Sequence, residues 1–440
     1  MTTRRLAVFL IATFLGVQAL VLLGLRGRYE DSGLLPIAWF AEGRQGRDSW
    51  DPMAQAYLHA TTPHRVERPF YWRTAFSRQV LRKGFQYPPT ALLVVSTLDG
   101  VLGARWPDAL RWITWAMVPV TAALVWRLHA RLRPPTGLTP SDQVLGALVA
   151  LFATLTCYPV MRAYANGQMQ TWLNALFAAA VWCWAGGRRR GAGVLLALSC
   201  AVKPQLGVFL LWGLIRRQWG FLAAFAITGL AVLGVSVVLY GWGPHVEYLG
   251  MLRFLGERGE AFFPNQSVNG LLNRALFNGD ILFWKQPWVD HFPPYDARIF
   301  WATAASSVVI LGLALVPPRE GPAGGGLADF ALMGLAATMA SPIAWEHHYG
   351  VALPIFVVAE RVVSGRAARL ALAASYVLVA SCFWITKALA ASRLNVLESY
   401  LFFGAIILFV LLVRGRSQAT SIQVADRSRL AMPNTWVRLQ

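Results

Sequence analysis

The chain has 440 residues, of which 56% are hydrophobic and only 14% charged, with 19 Trp among them. A water-soluble enzyme is excluded, because a soluble globular domain does not tolerate so much apolar sequence. The 40 Lys and Arg against 21 Asp and Glu leave a net charge of +19, which fits basic loops beside anionic lipid. No aromatic-basic module that would read nucleic acid is visible.

In chain order, MTTRR precedes an apolar run from Leu6 to Leu25. At about 20 residues it is long enough to span the hydrocarbon, and no small-residue cleavage site follows it. It predicts a retained first helix with Arg4 and Arg5 on the cytoplasmic side. A polar and aromatic segment, 26–87, comes next, then apolar runs near 88–104, 110–130, 142–160, 169–186, 191–215 and 219–241. A second polar segment, 242–296, precedes further apolar runs near 297–317, 326–342, 349–363, 367–387 and 398–414, and the tail 417–440 is polar and basic. This pattern predicts an all-α polytopic membrane protein of about twelve transmembrane helices. It divides into an N-terminal module, 1–241, containing the first loop (26–87) and an interfacial segment (88–104), then the second loop (242–296), the C-terminal helices (297–416) and the tail (417–440).

Short basic loops set the orientation. Arg131/Arg133, Arg188/Arg189/Arg190, Arg216/Arg217, Arg361/Arg366/Arg369 and Arg414/Arg416 are all expected in the cytoplasm, with both termini. If Arg190 and Arg216 share a side, the run between them must break, and Lys203-Pro204 stands at its middle. Lys203 is then expected toward the outer face, as are both long loops and the turn Trp345-Glu346-His347-His348. The cysteines Cys157, Cys183, Cys200 and Cys382 lie in or beside apolar runs without CxxC or Cys/His spacing, so neither disulfides nor a zinc site is expected. Asp99 and Asp329 stand in apolar runs with no evident partner.

Polar residues near the outer surface of such a bundle are candidates for chemistry. Asp48 and Asp51 open a stretch compatible with a helix, where Asp51 before Pro52 is either an N-cap or a general base. Asn166-Gly167-Gln168, near Arg162, reads as a helix cap and turn or as part of a polar site. Lys203, with no acidic neighbour in sequence, either snorkels to the interface or meets an anion at the helix break. Asn265-Gln266-Ser267 precedes Arg274 and suits a hydroxyl-rich ligand and a phosphate, or a capped surface helix. In Trp345-Glu346-His347-His348 the adjacent imidazoles diverge, which disfavours a two-histidine metal site. Together these groups suit a lipid-borne phosphate donor delivering a sugar to a hydroxyl. Phosphate departs without protonation, so one carboxylate suffices and single displacement inverts the anomeric centre, unlike the paired carboxylates of glycoside hydrolysis.

In this order and spacing, Asp51, Tyr87-Pro88-Pro89, Asn166-Gly167-Gln168, Gly193 through Lys203-Pro204, Asn265-Gln266-Ser267 with Arg274, and Ser341-Pro342 with Trp345, His347 and His348 resemble the family 87 glycosyltransferases of the GT-C class, polyprenol-phosphate-sugar transferases that act on mannosyl or arabinofuranosyl units. The resemblance implies the GT-C fold, a polyprenyl-phosphate sugar donor, most readily mannose, and a glycan or lipid-linked acceptor. It also implies a plasma-membrane protein with an extracytoplasmic site and no obligatory metal or nucleotide cofactor. By position, Asp51 matches the base, with Asp48 a rival because Gln55 stands where the family places a Tyr. Lys203, with Arg162 or Arg274, would hold the donor phosphate. His347, His348, Glu346, Trp345, Tyr87, Asn166, Gln168, Asn265, Gln266 and Ser267 would line the sugar and acceptor site. A transporter or lipid flippase also uses broken helices, but no internal repeat relates the two halves of this chain. An inactive membrane scaffold would leave Asp51 without a role.

Overall fold

The computed structural model describes residues 2–62, 69–76, 84–133, 139–284, 288–317 and 326–416. The expected cytoplasmic tail, 417–440, and stretches 63–68 and 77–83 of the first loop lie outside these. The described chain is helical, and its one β feature among the described residues is an isolated antiparallel bridge between Asn265 and Trp345.

Helix starts follow their capping residues. The Thr2 hydroxyl caps Thr3–Ala19, Thr139 caps Pro140–Thr156, and the Asp296 carboxylate caps Ala297–Leu315, each accepting a backbone N–H that the first turn leaves unpaired. Among the described residues five helical stretches are long and apolar enough to cross a membrane: Thr3–Gly24, Pro89–Arg131, Trp219–Tyr240, Ala297–Leu315 and Arg393–Gly415. Pro140–Thr156 and Tyr158–Ala165 pass the same test together but bend by 62° at Cys157, where Pro159 has no N–H to continue the ladder. Trp219–Tyr240 turns Ile227, Leu230 and Val238 outward at 69%, 68% and 84% exposure, which only a hydrocarbon solvent makes favourable.

Six spans at most meet this measure among the described residues, so the twelve expected from the apolar runs are not confirmed. The difference is one of length: Arg189–Cys200, Val208–Ile215 and Leu327–Met339 have 12, 8 and 13 residues, or about 12–20 Å at 1.5 Å per residue against a core of about 30 Å. The run 191–215 does break where its sequence predicts, with the turn Pro204–Gly207 between its two short helices. The segment at 88–104 is a short helix, Leu92–Leu102, ended by Gly103 at φ +52° before Trp106–Arg131 begins.

Leu327–Met339 is buried along its whole length. Its Phe330 stacks on Trp184 at 4.6 Å, and Trp212, Phe209 and Phe221 close around the pair. Gly334 lets Phe177 approach to where a Cβ would stand 2.3 Å from its ring, so a larger residue there would push the helices apart.

The basic clusters gather at one end of this bundle. Arg131 and Arg188 both lie over the Trp182 ring, Arg133 acts electrostatically on Arg361, and Gly415 abuts Val362. Arg216 binds Asp329 at 2.7 Å and Arg416 binds it at 3.3 Å. Asp329 therefore has partners, contrary to the expectation from sequence, and also accepts from Trp212 Nε1 at 2.9 Å. Asp99 likewise accepts from the Tyr57 hydroxyl at 3.0 Å. Both acids looked isolated because their partners lie in distant segments. Lys203 sits beyond Arg189–Cys200 on one side and Pro204–Ile215 on the other, at the opposite end of the bundle from Arg189 and Arg216.

Candidate functional site

The first loop reaches the bundle by docking on the turn Asn166-Gly167-Gln168. Asn166 ends Tyr158–Ala165 as its C-cap, and Gly167 turns the chain at φ +64°. The backbone of Gly46, Asp48 and Ser49 then donates to the carbonyls of Ala165, Asn166 and Gly167 at 2.7, 3.0 and 3.2 Å. A Cβ on Gly167 would stand 1.8 Å from the Gly46 carbonyl oxygen, so this approach needs glycine for space as well as for its backbone angle.

Side chains seal the junction. Ser49 Oγ lies 2.7 Å from the Tyr87 hydroxyl, donates to Gln168 Oε1 at 2.8 Å and accepts from the Met169 N–H at 3.0 Å. Gln168 Nε2 reaches Asp48 at 3.4 Å. Burial, with Asp48 nearby, pushes the Tyr87 phenol up to about 12, so it stays protonated as a donor. The Asp51 side chain is 55% exposed and paired with Arg47 at 2.7 Å. Of the two acids weighed as a base, Asp48 is the one at the junction.

Lys203 adjoins the same place. Its neighbour Val202 packs in one apolar cluster with Trp50, Met53 and Met169, with Tyr87 and Ile343 at the edge. Lys203 Nζ is closed off from solvent and meets no hydrogen-bond partner among the described residues. Burial drives its amine well below the ordinary lysine value, because a charge in a low-dielectric site lacks its hydration. His348 comes within electrostatic reach of it, and its Nδ1 is also sealed and unpartnered. Burial first, and then the charges of Lys203 and His347, hold the His348 ring well below its usual range. An amine and an imidazole nitrogen, both desolvated with no hydrogen-bond partner among the described residues, are costly unless a ligand completes them, and an anion there would also favour the protonated amine.

The turn at 345–348 separates its residues. His347 is buried, 5.4 Å from the Trp345 ring and 4.7 Å from the His348 ring. Glu346 points elsewhere, accepting from Trp384 Nε1 at 2.9 Å and from the Tyr400 hydroxyl at 3.3 Å. Burial raises its carboxyl to about 7 against the opposing pull of Arg162. Arg162 itself lies over the Trp384 ring at 4.3 Å.

The Asn265 group holds the second loop against this turn. Asn265 Nδ2 donates to the Glu260 and Pro342 carbonyls and its Oδ1 accepts from the Ala344 N–H. Gln266 Nε2 donates to the Phe263 and Glu398 carbonyls, and Ser267 Oγ donates to the Pro342 carbonyl while capping Val268–Ala275. All three are buried, and their polar groups are used by the backbone. Arg274 is fully buried too, donating to Ser399 Oγ at 2.6 Å and to the Phe262 and Phe263 carbonyls. Its pKa falls to about 10 through burial, opposed by Glu398, Glu346 and Glu260.

Two residues of this region escaped the sequence reading. Glu260 binds His291 Nε2 at 2.7 Å and accepts from Trp345 Nε1, while the Trp284 ring stacks on His291 at 3.9 Å. Ser49, central to the loop junction, was also missed. Glu260 and His291 lie far apart in the chain, and neither spacing nor composition marks them.

An all-helical chain with lipid-facing spans and a polar site at one end of its bundle defines a multi-pass membrane protein. The profile of Glycosyltransferase family 87 matches residues 85–342, more than half of the chain, and the chain belongs to that family. It is 25% identical over 281 residues to the polyprenol-phosphate-mannose-dependent alpha-(1-2)-phosphatidylinositol mannoside mannosyltransferase of Mycobacterium tuberculosis, covering 62% of this chain and 61% of that protein. It is 26% identical over 284 residues to the polyprenol-phosphate-mannose-dependent alpha-(1-2)-phosphatidylinositol pentamannoside mannosyltransferase of Mycolicibacterium smegmatis, covering 62% and 60%. The match thus spans about six tenths of these relatives' lengths. No solved structure matches the chain.

Proposed function

We propose that the protein is an inverting glycosyltransferase that moves a sugar, most readily mannose, from a polyprenyl phosphate to a hydroxyl of a glycan or lipid-linked acceptor. The reaction would take place at the extracytoplasmic face of the plasma membrane and need no metal or nucleotide cofactor. The observation that carries this reading is the sealed, unpartnered amine of Lys203 beside His348. It lies at the end of the bundle away from the basic clusters, where the positive-inside rule puts the outer leaflet. The choice of mannose rests on the chain's similarity to the two polyprenol-phosphate-mannose-dependent mannosyltransferases.

In this mechanism the Asp48 carboxylate takes the proton of the acceptor hydroxyl as its oxygen attacks the anomeric carbon. The bond to the donor's phosphate oxygen breaks with its electron pair, and Lys203 stabilises the negative charge that gathers there. Tyr87, Ser49 and Gln168 fix the loop that carries Asp48, and His348 with His347 and Trp345 forms the opposite wall. Arg274 and the Asn265–Ser267 turn act at a distance, by holding the second loop in place. Purified protein offered a panel of polyprenyl-phosphate sugars, with products followed by mass spectrometry, tests the reading. Consumption of one donor with release of polyprenyl phosphate is expected, and turnover of none of them, under conditions that keep the protein folded, overturns it.

A further inference from the structure

A cleft of about 630 Å³ opens far from Lys203, among the helices Thr3–Ala19, Trp106–Arg131, Pro140–Thr156, Ala352–Val362 and Arg366–Ala380. Its polarity runs in one direction along the helices. Arg5 precedes Leu10, Glu360 and Arg361 follow Phe356, Arg369 precedes Tyr376, and all seven line the cleft. Five residues of helix rise about 7 Å, so the charged rim and the apolar floor are separated by roughly the depth from a phosphate to the first methylenes of a lipid tail.

The rim is cationic and incompletely satisfied. Arg5 and Arg369 are exposed, and Arg361 pairs with Glu360 at 3.0 Å. Arg361 Nη2 and His129 Nε2 are nevertheless sealed from solvent without a hydrogen-bond partner among the described residues. Three guanidinium groups against one carboxylate leave a net positive site, and guanidinium donors suit the oxygens of a phosphate.

We infer that this cleft binds an anionic phospholipid of the bilayer, with its phosphodiester on Arg361, Arg369 and Arg5 and one acyl chain against Leu10, Phe356 and Tyr376. A bulk lipid fits better than the sugar carrier, because the cleft lies among the basic clusters at the end of the bundle opposite Lys203. The inference is independent of the proposed transfer reaction.

The test uses full-length protein in mixed micelles containing phosphatidylglycerol or phosphatidylcholine, with bound lipid counted by native mass spectrometry. Wild type should retain phosphatidylglycerol in preference to phosphatidylcholine, and the R361Q/R369Q double variant should lose about tenfold or more of the phosphatidylglycerol affinity. Equal retention of the two lipids by wild type, or equal phosphatidylglycerol retention by wild type and the double variant, overturns the assignment. So does displacement of phosphatidylglycerol by polyprenyl phosphate from wild type but not from the double variant, which would assign the cleft to the carrier. Ala150 on Pro140–Thr156 also lines the cleft, and Ala150→Leu, which narrows the apolar floor while sparing the rim, should lower retention as well. Unchanged retention there refutes the acyl-chain placement, and this arm stands if the double variant fails to fold.

Discussion

Lys203 Nζ and the His348 imidazole lie within electrostatic reach of each other, and both Nζ and Nδ1 are sealed from solvent with no hydrogen bond from the described residues. Their mutual effect is repulsive, so the pair is best satisfied by a shared anion.

Replacing Lys203 with Met should weaken binding of a polyprenyl-phosphate sugar by about tenfold to a hundredfold, the weight of a charge-assisted hydrogen bond, and leave acceptor binding nearly unchanged. The wild-type affinity should also depend on pH. Burial holds the free enzyme's Lys203 below its ordinary value, and a bound phosphate diester restores it, so donor binding takes up a proton. Affinity is then full at low pH and declines as pH rises from the depressed value toward about 10.4. Calorimetry in buffers of different ionisation enthalpy measures the uptake; zero uptake at every pH contradicts the role.

Asp48→Asn should lower turnover by about 10²- to 10⁴-fold, the usual contribution of a positioned base. Asp51→Asn removes an exposed ion pair with Arg47, a contact of small weight, and should keep most of the activity. Single-turnover rates of the two variants decide between them, and the reverse ranking would return the base to Asp51.

Glu346 sets a pH dependence of stability. Its folded carboxyl, raised to about 7, lies above its unfolded value, so its stabilising effect is complete below the unfolded pKa and is lost as pH rises through about 7. The span amounts to about 3 kcal/mol. Glu346→Gln keeps an acceptor for Trp384 and Tyr400 and should flatten this part of the profile of thermal midpoint against pH. A variant profile parallel to wild type would contradict the burial argument.

Asp329→Asn leaves Arg216 and Arg416 buried beside a neutral group and should cost about 3–5 kcal/mol. Replacing Asp329, Arg216 and Arg416 together by apolar residues of similar volume should recover most of that loss, since no charge is then left unpaired. Thermal midpoints in detergent separate the cases, and equal losses in the single and triple variants would show that the network acts through packing alone.

The membrane class, the break at Lys203-Pro204 and the family were legible in the sequence because each depends on local or ordered signals. Hydrophobic run length follows from the thickness of the bilayer, a proline ends a helix wherever it falls, and motif order survives low identity. The number of full spans was not legible, since an apolar run looks the same whether it crosses lipid or lies as a short helix inside the bundle, as Leu327–Met339 does. Asn265, Gln266 and Ser267 look like ligand-binding side chains in a loop, yet their amides and hydroxyl bind carbonyls from distant segments.

The amino-acid order by itself determined that this chain needs a lipid solvent and which of its ends carry positive charge, because apolar length and loop arginines act without reference to the rest of the fold. Tertiary structure alone decided that Asp48 rather than Asp51 meets the Gln168 turn, that Asp329 joins Arg216 and Arg416, and that Lys203 faces His348. Those pairings depend on how helices far apart in sequence close on one another, and burial there changes the charge state and partners of groups that look alike along the chain.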